Sequence, residues 1–207
     1  INMREPNNKH NVYANYGLDD DEIDMYEIEC DSGYVQMCGT RDAWQRLKSL
    51  SANAADPEVY AQIKNLLDID ECCNYMAIQF YLGNNDWPQN NLKAWRPIME
   101  NGKFRFIVFD LDFGFYNNDP FPHFTSRQWY TFCELFDVPG VSHYTREVEI
   151  VPIFMNLLKN ADFRRKFVDA FCLVAGSVFQ PERSRKLVNR LVSVVEYMQT
   201  RESGYPG

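Results

Sequence analysis

The sequence has no uninterrupted apolar run of the ~18 residues that a membrane span needs. Its most apolar long window, residues 163–179, is broken by Arg164, Arg165, Lys166 and Asp169, so no transmembrane segment is expected. It has no Cys-x-x-Cys pair and only three histidines, which argues against a zinc site. The six cysteines, Cys30, Cys38, Cys72, Cys73, Cys133 and Cys172, form no disulfide framework. Adjacent Cys72 and Cys73 read as small buried hydrophobes, and the redox compartment stays open. Positive charge is in deficit: 21 Lys and Arg against 29 Asp and Glu give a net charge of −8. That balance argues against a nucleic-acid partner, because a phosphate backbone is held by basic patches. There is no internal repeat, no low-complexity stretch, and no charged-then-apolar leader. Residues 1–5 alternate like a strand before Pro6, a pattern read as the middle of an element, so the chain is read as an excised fragment.

What is present is globular. A 207-residue chain with 45% apolar and 15% aromatic residues can bury a core as one domain or two small lobes. Residues 7–15 read as a polar loop and residues 17–22 as an acidic turn or helix start. Residues 26–37 read as a strand or hairpin around Asp31-Ser32-Gly33. Thr40 caps a helix through Leu50, and a second helix from Asp56-Pro57 to Leu67 begins with proline at its first position. Residues 115–144 read as loop and irregular aromatic-rich sequence. From Val148 onward the pattern is helical, over residues 151–159, 162–179 and 181–200. On the last helix Leu187, Leu191, Val194, Val195 and Met198 keep helical spacing, a face expected to pack on the core.

The centre of the chain is residues 68–114. Asp68 followed by Glu71 is a capping-box pattern, and the helix it opens is expected to stop near Gly83. Residues 84–91, Asn-Asn-Asp-Trp-Pro-Gln-Asn-Asn, have no periodicity and form a loop. After a turn at Asn101-Gly102, the apolar run from Phe104 to Leu111 reads as a strand buried on both faces. Asp110 and Asp112 end it and, at period two, would share one side. Two carboxylates that close repel unless a cation or proton lies between them, and a hard ion such as Mg²⁺ accepts that donor type together with phosphate oxygens.

Asn91 lies five residues after Asp86, and Asp110 lies 24 after it. Protein kinases use this grammar: a catalytic-loop aspartate, an asparagine five residues on for metal, then a strand-end aspartate for Mg²⁺. With the words LGNNDWPQNNLKAWR and GKFRFIVFDLDFGF, the segment resembles the CotH kinase family, the spore-coat protein H type of atypical protein kinase. The likeness extends more weakly over most of the chain.

The resemblance implies an α+β, atypical protein-kinase-like fold: a predominantly helical C-lobe over residues 39–207 and, over residues 1–38, a remnant of the N-lobe sheet. It implies transfer of the γ-phosphoryl of ATP to a protein Ser or Thr, with Mg²⁺ or Mn²⁺. Asp86 would orient or deprotonate the acceptor hydroxyl, and Asn91, with Asn90 as alternative, would hold a metal. Asp110 would bind the ion that bridges the phosphates, and Asp112 would assist. Lys93 would reach a phosphate, sharing a strand face with Asn91 if the strand begins there. Asn84-Asn85 stand where ordinary kinases carry His-Arg, and Pro88 stands where lysine is common. No glycine-rich phosphate loop precedes the site within the chain, so that part is expected upstream of Ile1, without which nucleotide binding is weakened. An extracytoplasmic, cell-envelope or coat-associated location is an expectation from the family alone, and oligomeric state is left open.

Two other classes fit parts of the pattern. Phe-Asp-Leu-Asp-Phe-Gly also resembles the first motif of haloacid-dehalogenase-type phosphatases, which requires alternating strands and helices afterwards. A binding or structural module could also keep a kinase fold without catalysis.

Overall fold

The structure, a computed structural model, describes residues 7–29, 33–84, 86–112, 114 and 148–202. Residues 7–15, expected as a polar loop, instead carry helix α1 (Lys9–Tyr16). Asn8 Oδ1 accepts from the His10 N–H at 3.0 Å and Gly17 ends the helix with φ 69°. Two contacts hold this short polar helix: Val12 is fully buried and Tyr16 packs on Trp95, ring centroids 4.7 Å apart. Neither partner is nearby in sequence, so the helix leaves no apolar period to read.

A 3₁₀ turn at Asp20–Glu22 leads into strand β1 (Ile23–Glu29), which pairs with β2 (Gly33–Cys38) as the expected hairpin. Strands β3 (Leu92–Pro97) and β4 (Arg105–Ile107) complete an antiparallel sheet of order β2-β1-β3-β4. The sheet therefore takes strands from both sides of residue 38. One face presents Tyr26, Leu92, Ala94 and Phe106 to the main core, and the other buries Ile23, Met25 and Trp95 with Val12 and Cys38.

Helices make up most of the remaining described residues. They are α2 (Asp42–Ser51), α3 (Pro57–Leu66) and α4 (Ile69–Leu82), then α5 (Ile150–Leu157), α6 (Ala161–Leu173) and α7 (Pro181–Glu202). Asp56 caps α3 by accepting from the N–H groups of Glu58 and Val59, and Pro57 takes the first position, where its missing donor costs nothing. Gly83 closes α4 in the left-handed conformation at φ 59°. Cys72 and Cys73 are buried and unpaired with each other, and burial pushes both thiols up. Glu149 ties α2 to the start of α5, accepting from Trp44 Nε1 at 2.8 Å, Lys48 Nζ at 2.7 Å and Arg41 Nη2 at 2.6 Å. Burial opposes its charge, yet those donors hold its carboxyl below the ordinary range.

The architecture is α+β, and no helix among the described residues is long and apolar enough to cross a membrane. The last helix departs from expectation. Its periodicity is correct, but Leu187, Val188, Leu191, Val192, Val194 and Val195 are about half exposed, so the face does not pack on the core. Amphipathic spacing specifies a face, and only tertiary placement decides whether something meets it.

Gly39 marks a tight approach at the end of β2. Its φ is +67°, and a Cβ there would collide with Asp24 Oδ1 and lie 2.6 Å from the Ile23 carbonyl oxygen. Asp24 is itself buried, accepting from the Thr40 N–H at 2.7 Å and from Arg96 Nε at 2.8 Å. Gly39→Ala should lower the unfolding free energy by ~2 kcal/mol or more, because steric displacement adds to left-handed strain. Gly17→Ala, at φ +69° with open space around it, should cost only about 1 kcal/mol. Urea denaturation of the two variants checks the difference.

Candidate functional site

The loop after Gly83 is built on hydrogen bonds rather than on a ladder. Asn84, fully buried, donates from Nδ2 to Gln79 Oε1 at 2.9 Å, and its Oδ1 accepts from the Asp86 N–H at 3.3 Å. Asp86 is partly buried, and its Oδ2 accepts from both Asn90 Nδ2 and Asn91 Nδ2, each at 2.9 Å. Those two amides fix the carboxylate and leave Oδ1 without a hydrogen bond among the described residues. Asn91 thus uses its amide nitrogen on Asp86, and Oδ1 is the acceptor that remains on that side chain. Asn91 is left-handed at φ 55°, a conformation that asparagine tolerates better than most residues.

Strand β3 begins at Leu92 and not at Asn91, so the alternation expected to put Lys93 and Asn91 on one face does not apply. Strand β4 is likewise shorter than the apolar run suggests. It spans Arg105–Ile107, with Phe104 and Phe106 buried on one face and Arg105 and Ile107 only half-buried on the other, so one face alone is fully covered. Asp110 has φ 51°, and both Asp110 and Asp112 are exposed beyond the strand, so period two does not set their directions. The apolar letters of 107–109 are not a signature of double burial.

Register nevertheless brings the parts to one end of the hairpin. Lys93 pairs with Ile107 and Ala94 with Phe106. Beyond that pairing, Lys93 Nζ reaches the Phe109 ring. Asp86, Asn90 and Asn91, joined by hydrogen bonds, precede β3, and Asp110 and Asp112 follow β4 in the chain.

Lys93 is buried and ion-paired across the sheet, its Nζ 2.8 Å from Glu27 Oε1 and 4.6 Å from the centroid of the Phe109 ring. Glu27 is a component that the sequence reading missed; its acidic position on an alternating strand opposite a lysine was the available signal. Gln79 was missed too, although it is the one amide within the apolar run from Met76 to Leu82.

The capping box at α4 is half formed. Asp68 Oδ1 accepts from the Glu71 N–H at 3.3 Å, but Glu71 Oε1 turns to β4 and accepts from the Phe106 N–H at 3.0 Å. Helix and strand are joined by the bond that would otherwise have closed the box.

Among the described residues no three or more His, Cys, Asp and Glu side chains gather into a metal-binding group. Asp86, Asp110 and Asp112 are therefore not gathered on one point, although their carboxylates and the amide oxygen of Asn91 share a chemical type. All are hard oxygen donors, suited to an ion that takes one or two carboxylates with phosphate oxygens and water. In donor chemistry, and not in a gathered geometry, these residues suit Mg²⁺ or Mn²⁺.

A family model described as CotH kinase protein matches residues 5–204. The chain belongs to the CotH kinase family. Comparison with curated proteins gives no match. Membership accords with the kinase-like α+β fold. The dehalogenase-type reading requires a parallel sheet of alternating units, whereas every strand pair among the described residues is antiparallel.

Glu71 carries a measurable consequence. Burial pushes its carboxyl from 4.5 up to about 7, opposed by the Phe106 N–H, reinforced by Asp68 and opposed again by Arg105. A carboxyl raised in the folded state binds more protons there than in the unfolded chain. Stability should therefore fall as pH rises from about 4.5 to about 7, by up to ~3 kcal/mol, and then level off. Glu71→Gln keeps an acceptor for Phe106 without the charge and should flatten that slope; urea midpoints across this pH range measure it.

Proposed function

We propose that this CotH-family domain transfers the γ-phosphoryl of ATP to a serine or threonine of a protein, with Mg²⁺ or Mn²⁺ at the site. The observation that carries the reading is the Asp86 carboxylate, held at Oδ2 by the two asparagine amides with Oδ1 left for a substrate hydroxyl. Phosphoryl transfer asks little covalent chemistry of the protein and much alignment. Asp86 Oδ1 would accept the hydrogen bond of the acceptor hydroxyl and take its proton as the oxygen attacks. Asn91 Oδ1 and Asp110 would hold the divalent ion, with Asp112 beside them. When bound, that ion offsets the negative charge of the phosphate oxygens. Lys93, with one ammonium donor on Glu27, would turn its remaining donors to a phosphate.

The roles separate in experiment. In the full-length protein, ATP with Mg²⁺ at ~100 times its Kd should stabilise the fold by ~2.7 kcal/mol. Asp110→Ala should lose that thermal shift. Asp86→Ala should retain it while transfer to a protein substrate falls by about 100-fold or more. Full transfer activity in both variants would overturn the assignment.

A further inference from the structure

Helix α4 carries Glu71, Tyr75 and Gln79 at intervals of four residues, which places the three side chains one above another on one face. Each reaches a different part of the frame around Asp86. Glu71 accepts from the Phe106 N–H at 3.0 Å. The Tyr75 ring stacks on Phe106 with centroids 4.7 Å apart and planes 17° apart, while its hydroxyl accepts from Trp87 Nε1 at 2.8 Å. Gln79 receives Asn84 twice, the side-chain amide at 2.9 Å on Oε1 and the backbone N–H at 3.2 Å on its carbonyl oxygen. Asn84 passes the restraint on by accepting from the Asp86 N–H at 3.3 Å.

We propose that this polar stripe is the positioning rail of the site: Gln79, through Asn84, sets the place of Asp86, and Glu71 and Tyr75 set the places of β4 and Trp87. The proposal rests on the reading of Asp86 as the residue that orients the acceptor hydroxyl. These are positioning residues; none of them touches substrate.

Burial makes the stripe costly unless it holds something. Gln79 and Asn84 have no solvent exposure; Gln79 Oε1 is satisfied by Asn84 while Gln79 Nε2 and Glu71 Oε2 are buried without a partner among the described residues, a desolvation cost carried by the stripe. Leucine or phenylalanine would fill the same volume without that cost. The bonds that Gln79 and Tyr75 make run outward to the loop over residues 84–91. That loop has no strand ladder of its own, so its geometry is inherited from whatever rigid element it is tied to. A buried helix is such an element. The stripe also links the two halves of the site, because Tyr75 holds Phe106 on β4 and Trp87 beside Asp86 with one side chain.

The test uses Gln79→Leu and Tyr75→Phe in the full-length protein. Gln79→Leu keeps the bulk and removes the acceptor for Asn84; Tyr75→Phe keeps the stack on Phe106 and removes the acceptor for Trp87. The expected result is a kcat lowered by about 10- to 100-fold with the nucleotide KM changed by less than about threefold, since small misplacements of a reacting group cost that much. Amide hydrogen exchange over residues 84–91 should rise roughly tenfold, while exchange in α6 stays as in the wild type. Unchanged loop exchange and unchanged kcat in a folded Gln79→Leu would overturn the rail. So would exchange raised equally everywhere, with activity lost only in proportion to unfolding. Should Gln79→Leu not fold, Tyr75→Phe, which loses a single hydroxyl, decides by the same readouts. A wild-type protein without phosphoryl transfer would defeat the kinase reading instead, and the exchange data would still decide whether α4 holds the loop.

Discussion

The structure depends on the burial of helix α4. It packs along α6 on one side and meets β4 on another, and Ile69, Cys72, Cys73, Tyr75, Met76, Ala77 and Phe80 all lie in the main core. At ~2 kcal/mol for each large apolar side chain removed from water, no other element among the described residues contributes as much to the core. A helix buried this fully has little freedom to rotate or slide, because close-packed neighbours on several sides must move together. Its C-terminal end, closed by Gly83, therefore delivers the loop over residues 84–91 to a defined place.

The sheet is specified by charge as well as by apolar contact. Asp24 with Arg96 and Glu27 with Lys93 are both cross-strand partners of β1 and β3, on opposite faces. Buried ion pairs add little net stability, but a buried charge left without its partner costs about 3–5 kcal/mol. A one-residue slip of β1 against β3 would break both pairs and turn every side chain to the wrong face. The two pairs thus select one register of β1 against β3.

Much of the frame was legible because its signals are local. Asp56-Pro57 and Asp68 announce helix starts, Gly83 announces a stop, and Asp31-Ser32-Gly33 announces a hairpin, since caps and turns are decided within a few residues. The order Asp86, Asn91, Asp110 was legible as a spacing, and the family was legible too, its model matching residues 5–204. The reading failed where the deciding partner is distant in sequence. Helix α1 depends on Trp95, Glu71 is drawn from its cap to Phe106, and the face of α7 is amphipathic yet uncovered.

Sequence alone determined which groups the site could contain: a carboxylate, two amides and two further aspartates at spacings that suit phosphate chemistry. It also determined the helix that precedes them, because capping and apolar periodicity need no tertiary information. Only the tertiary structure decided that Asp86 is gripped by Asn90 and Asn91, that Lys93 is held by Glu27, and that Gln79 reaches Asn84. Those contacts depend on backbone conformations such as the left-handed Asn91 and Asp110 and on strand register. Both are set by the packing of the whole core, and neither is encoded in the spacing of the letters.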